Sequence, residues 1–145
     1  MIGGGSPRVL RLAGKEADIV SLNFNNRSGT IGPDGVRLST TEETKKKIGW
    51  IKEGAGDRFK DLELEIGAYF TFVTDKSAPI VGEFAKIFGM PEDQMKEHPH
   101  ALFGSEEEIC DELERRREIF GISYVTVGTD NLESFAPVVK KLTGK

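Results

Sequence analysis

The chain has one cysteine, one tryptophan and two histidines, and no apolar run approaching the roughly 20 residues that a bilayer span requires. The lone cysteine, Cys110, excludes an intramolecular disulfide and fits a reducing compartment. It falls inside a helical pattern, where it reads as a small buried hydrophobe rather than a nucleophile. The histidines, His98 and His100, have no neighbouring Cys, Asp or Glu that completes a convincing ligand set. No metal is expected, and the pair reads as loop or cap residues. A basic segment followed by an apolar stretch is missing from the N-terminus, so no export signal is expected and the location reads as cytoplasmic. An excess of positive charge is missing too. The formal net charge is -4 and Lys and Arg are interspersed among Asp and Glu, which removes nucleic acid and membrane from the expected partners.

What is present suits one α/β domain over residues 1–145. A chain of 145 residues, 37 % hydrophobic, buries about 68 to 70 % of its unfolded surface in a single core. The opening MIGGGSPRVLRLAGKEADIV places three glycines before Ser6, a candidate N-cap, and Pro7, a favoured first helical residue. Val9, Leu10, Leu12, Ala13 and Ala17 then form a helical stripe. Ile19 to Asn23 reads as a short buried parallel strand. Between Phe24 and Ser39 runs a long connection, in which a Pro-Asp-Gly turn suggests a hairpin between Thr30-Ile31 and Val36-Leu38. Thr40 with Glu43 has the capping-box spacing, and the helix it opens carries Thr44, Ile48, Ile51 and Ala55 on one face.

The segment LELEIGAYFTFV alternates from Leu62 to Val73, predicting one strand with Leu64, Ile66, Ala68, Phe70 and Phe72 on one side. Glu63, Glu65, Tyr69 and Thr71 fall on the other, more polar side. A helix follows from Ser77 and stops at Gly89, and Ser105 with Glu108 gives a second capping box. Met90 to Gly104 reads as an excursion between those two helices. SEEEICDELERRRE reads as a solvated helix face. Ile122 to Val127 is a strand, and the last helix either starts near Ser134 or kinks at Pro137. Strands alternating with helices imply a parallel sheet with right-handed crossovers. Counting Met1-Ile2 as a stub, four βα units make half of a (βα)8 barrel, which typically needs about 250 residues. The alternative is a small doubly wound sheet, but a polar strand face favours the barrel.

Ligands of such domains sit at the carboxyl ends of the strands. Glycines allow a phosphate close to the backbone, and the N-terminus of the following helix attracts the anion. The same glycines could equally serve only a tight strand-to-helix turn. Tyr69 and Thr71 could face a ring in a barrel lumen, or simply fill it. Glu63 and Glu65 fall toward the start of their strand, the stability end of a barrel, so acid-base work is not assigned to them.

Three stretches in order, IGGGSPRVLRLAGKEADIVSLN, IKEGAGDRFKDLELEIGAYF and HPHALFGSEEEICDELERRREIFGISYVTVG, resemble the C-terminal half of the luciferase-like flavin and deazaflavin-dependent oxidoreductases, which include monooxygenases. The resemblance implies a (βα)8 TIM-barrel half with strands five to eight, and FMN or an 8-hydroxy-5-deazaflavin as cofactor. It implies cofactor-phosphate binding by Gly3, Gly4, Gly5 and Ser6, with Ser21 and Asn23 next. No residue here is expected to be the catalytic acid or base, because the family's N-terminal half usually supplies those groups. Because a half-barrel leaves two sheet edges and one sheet face uncovered, a homodimer that completes the barrel by self-association is expected. The alternative function is a non-catalytic half-barrel, with or without a bound cofactor, that self-associates or complements an N-terminal-half subunit.

Overall fold

The computed structural model describes residues 1–25 and 31–144. Within them the sheet is built from β1 (Ile2–Gly4), β2 (Ile19–Leu22), β3 (Glu63–Ala68) and β6 (Ile122–Val127), all parallel and in the spatial order β1-β2-β3-β6. Helices α1 (Pro7–Glu16) and α3 (Thr41–Ala55) make the first two crossovers, and α7 (Leu132–Leu142) follows the last strand. The crossover between β3 and β6 is longer. It holds β4 (Phe70–Val73), α4 (Ser77–Phe88), α5 (Glu92–Lys96), β5 (Ala101–Gly104) and α6 (Glu106–Phe120). A short helix, α2 (Pro33–Arg37), occupies the connection after β2. This is an α/β half-barrel of four βα units.

Alternation along the strands decides which face the helices cover. Val20, Leu22, Leu64, Ile66 and Ile122 pack with Leu10 and Ala13 of α1 and with Ile48 and Ile51 of α3. Each such side chain withdrawn from water contributes about 1.5 to 3 kcal/mol. The residues between them, Ser21 and Glu65, therefore point to the opposite, concave face. Where α1 and α3 cross, Gly14 and Gly54 bring the backbones together. A Cβ at Gly54 would overlap Arg11 of α1, and one at Gly14 would overlap the Ile51 carbonyl of α3.

The structure corrects several sequence expectations. LELEIGAYFTFV is two strands, because Tyr69 interrupts the ladder and β4 pairs with β5 in a separate two-stranded parallel sheet. The alternation stays in phase through the break, so the pattern alone hides it. The polar side of β3 is buried as well, Glu65 being 4 % exposed in the middle of the sheet and not at a barrel rim. The excursion from Met90 to Gly104 contains α5 and β5, whose four residues are all buried. The Pro-Asp-Gly turn opens α2 rather than a hairpin; Thr30 lies outside the described residues. Neither Ser6 nor Thr40 caps its helix through the side chain, whereas Ser105 and Glu108 form the full reciprocal box. Helix α7 runs from Leu132 with Pro137 inside it, and Gly89 stops α4 at φ 63° as expected.

Candidate functional site at the carboxyl ends of the strands

Parallel pairing brings the ends of β1, β2, β3 and β6 to one side of the sheet. Gly3 pairs with Ser21, Ser21 with Glu65 and Glu65 with Tyr124, so these four residues form one row across the concave face. Glu65 accepts a hydrogen bond from the Thr126 hydroxyl at 2.8 Å. One step toward the carboxyl ends stand Asn23 and Gly67, the latter paired with Thr126.

The glycine run leaves β1 and enters α1 through Ser6 and Pro7. A Cβ on Gly5 would stand 2.6 to 2.7 Å from backbone atoms of Asn23, Phe24 and Asn25, and one on Gly3 would stand 2.6 Å from the Asn23 amide nitrogen. The φ angles of Gly3, Gly4 and Gly5 are not positive. Space, and not a left-handed turn, is what demands glycine here. The first turn of α1 holds no acidic residue, and its early N–H groups have no partner within the helix. That arrangement suits an anion. The structure thus brings Gly3, Gly5, Ser21 and Asn23 together at the ends of β1 and β2, while Gly4 turns toward Val9 of α1.

Tyr69 completes this face. Its ring lies over Gly67, where a Cβ would come within 3.0 Å of it, and its hydroxyl donates to the Asn23 side-chain oxygen at 2.9 Å. Burial of the ring and then the Glu65 charge push its pKa upward, so the phenol stays neutral and keeps its proton for Asn23. Phe24 packs 5.3 Å from Tyr69 and 4.2 Å from His100. Thr71, expected beside Tyr69, is instead buried, and its hydroxyl donates to the Ala68 carbonyl at 2.8 Å.

Behind the site lies a buried polar spine, whose histidines the sequence reading puts in loops or caps and whose Arg116 it puts on a solvated helix face, while Lys47 is not singled out by it. His98, 0 % exposed, donates from Nε2 to the Val36 carbonyl at 2.9 Å, and His100, 1 % exposed, donates from Nδ1 to the Gly67 carbonyl at 2.9 Å. Burial depresses both imidazoles, His98 to about 4 and His100 well below 6.5. Arg116 is 1 % exposed and donates to the carbonyls of His98, Pro99 and Ala101 and to Glu112. Lys47 is 2 % exposed, with Nζ 2.9 Å from the Asn23 carbonyl and 2.7 Å from the Ser39 hydroxyl. Both cations carried a readable signal, since Lys47 lies on the Thr44-Ile51 stripe and Arg116 on the Ile109-Phe120 stripe at helical spacing.

Next to Tyr69, at the ends of β3 and β4, a groove of about 490 Å³ runs between Phe72, Phe84 and the Asp130-Ser134 segment. Among the described residues no cluster of His, Cys, Asp or Glu could hold a metal, and no helix is long and apolar enough to cross a membrane.

No family model and no curated protein matches the sequence. Solved structures do match in fold. A coenzyme F420-dependent tetrahydromethanopterin reductase from Methanopyrus kandleri aligns with TM-score 0.62 at 17 % identity, over 94 % of this chain and 47 % of that one. A long-chain alkane monooxygenase aligns with TM-score 0.62 at 15 % identity, over 97 % and 39 %, and an EDTA monooxygenase from Chelativorans sp. BNC1 with TM-score 0.62 at 13 % identity, over 98 % and 43 %. The chain therefore spans less than half the length of the enzymes it resembles, and what it shares with them is the fold of a partial (βα)8 barrel.

Proposed function

We propose that this chain is the cofactor-phosphate-binding half of a luciferase-like oxidoreductase, taking FMN or an 8-hydroxy-5-deazaflavin. The observation that carries the reading is the Gly3–Ser6 loop, packed at glycine-only distance on Asn23–Asn25 and opening onto the N-terminus of α1. Solved structures of the same fold include F420-dependent enzymes, monooxygenases and a riboflavin lyase with modified FMN. Backbone N–H groups of the loop and of α1, with Ser6, would hold the phosphate. Ser21, Asn23 and Tyr69 would face the rest of the cofactor from the concave side. Such a cofactor supplies the hydride or oxygen chemistry itself, and the protein supplies binding and orientation.

The test is an absorbance titration with FMN and with the deazaflavin, on wild type and Ser6→Ala. Because the Ser6 hydroxyl does not cap α1, the substitution should leave the melting temperature within about 2 °C, as expected for a change of a few tenths of a kcal/mol. It should weaken binding about 3- to 10-fold, the worth of roughly one hydrogen bond. Absence of saturable binding by either cofactor sinks the proposal.

The same reading includes a homodimer. Among the described residues, β1 and β6 each have one neighbour in the sheet, and the concave side of β6 is open, with Tyr124 37 % exposed. Two copies related by a two-fold axis would pair β6 of one with β1 of the other and close eight strands. Light scattering at micromolar concentration should then give twice the chain mass.

A further inference from the structure

Lys47 occupies a place for which neither the barrel nor the glycine loop accounts. It projects from α3, on the buried face of that helix, to the loop that follows β2, and its ammonium contacts the Asn23 carbonyl. That carbonyl is the atom against which Gly5 closes, 2.7 Å from where a Cβ would stand. Two short contacts therefore separate a buried cation from the middle of the glycine loop. The Ser39 hydroxyl, itself 0 % exposed, fixes the ammonium from the far side. We propose that Lys47 is the charge-supplying and positioning residue of the phosphate loop, fixing the Asn23 carbonyl on which Gly5 rests and adding a full positive charge behind an anion held in front. The proposal rests on the phosphate reading above.

A charge in this position makes anion affinity depend on pH. Burial lowers Lys47 to about 8, and Glu43, on its own helix, raises it in part. The other charged or titratable groups that face it are His98 and His100, from the segment before β5, with Arg116 of α6 beside them. Both imidazoles are neutral at pH 7 and Arg116 stays protonated, so between pH 7 and 9 Lys47 is the member of this cluster that changes charge. An FMN phosphate, with a second pKa near 6, keeps its charge throughout.

The experiment measures FMN affinity at pH 7, 8 and 9 for wild type, Lys47→Met and Lys47→Arg, and follows the Lys47 Cε resonance of unliganded wild type over the same range. Wild type should lose about fivefold in affinity from pH 7 to 9, as expected when a buried charge worth about tenfold at a distance of several ångströms titrates near 8. Lys47→Met should bind about tenfold more weakly at pH 7, with a flat profile. Lys47→Arg, charged at every pH used, should bind tightly with a flat profile. The Lys47 resonance should titrate near 8. A flat wild-type profile with FMN bound, a slope that survives in Lys47→Met, or a Lys47 resonance that titrates near 10.4 overturns the inference. Failure of FMN to bind at any pH, with Lys47 still titrating near 8, overturns the phosphate reading and with it the role in affinity. In that case the ammonium's placement against the loop stands as structure alone.

Discussion

Mild acid should destabilise this protein through His98 and His100. Both rings are almost wholly buried and each spends its N–H on a backbone carbonyl, while the second nitrogen of His98 accepts from the His100 amide at 3.2 Å. Protonation would add a charge where burial is most costly and would remove that acceptor. An unfolded chain takes up protons at both sites near pH 6.5. The folded chain resists until about 4 at His98 and to a lower pH at His100. Below 6.5 the unfolded state binds more protons, so stability falls as pH drops from 6.5 toward 4. For His98 alone the displacement from 6.5 to about 4 is worth about 3 kcal/mol, and His100 acts in the same direction. Domains of this kind have about 5 to 15 kcal/mol in all. Urea unfolding followed by far-ultraviolet circular dichroism at pH 7, 6, 5 and 4.5 should show the loss. The slope is the readout. His98→Gln keeps a donor in the place of Nε2 and has no imidazole, so between pH 7 and 4.5 it should lose about 2 kcal/mol less than wild type, as the linkage requires. Carboxylates such as Glu112 titrate alike in both proteins and cancel. Equal slopes, or an imidazole resonance of His98 that titrates near 6.5, would refute the reasoning.

Two further changes probe the frame around the site. Arg116→Met deprives the Pro99 and Ala101 carbonyls of a charged donor, and at about 1 to 3 kcal/mol for each unsatisfied group the melting temperature should fall by about 10 °C; a drop under about 2 °C would mean that the guanidinium is dispensable. Gly54→Ala forces a Cβ into Arg11 of the facing helix and should destabilise by about 1 to 3 kcal/mol, whereas Gly49→Ala in the same helix meets nothing within 4 Å and should stabilise by about 0.5 to 1 kcal/mol; chemical denaturation of the pair reads the opposite signs.

The elements that carry the half-barrel were legible because each repeats a strong local rule. Ser6-Pro7, the run from Ile19 to Asn23 and the Ser105/Glu108 box mark boundaries within a residue or two of the observed ones. Ile122–Val127 has the bounds expected of it. What failed were features decided by tertiary contact. Tyr69 breaks the ladder although the period of two runs on unbroken, because its ring turns back over Gly67 and β4 finds β5 instead. β5 itself is four residues long and follows two histidines, so nothing local separated it from a loop. His98 and Arg116 looked solvated by residue type and Lys47 drew no reading; helical spacing places both cations on buried stripes, but the carbonyls they and His98 reach lie in distant segments that no spacing rule reveals. The candidate loop at Gly3–Ser6 was found by composition. The residues that hold it in shape were not.

The crossing of α1 and α3 through Gly14 and Gly54 has a mechanical consequence. At these two glycines main chain rests on main chain, so the closest approach holds no side chain that could switch rotamer, and the Arg11–Glu53 pair ties the two helices beside it. Helix α1 carries the glycine loop at its N-terminus and α3 carries Lys47, so the two halves of the anchor travel as one rigid piece. Any closure over a bound molecule then falls to the β4–β5 ribbon and α4, an insertion that joins the rest of the fold at Tyr69 on one side and at Ser105, before α6, on the other. Amide exchange slowed by a ligand should accordingly appear on the ribbon side of that tyrosine and leave the α1–α3 contact unchanged.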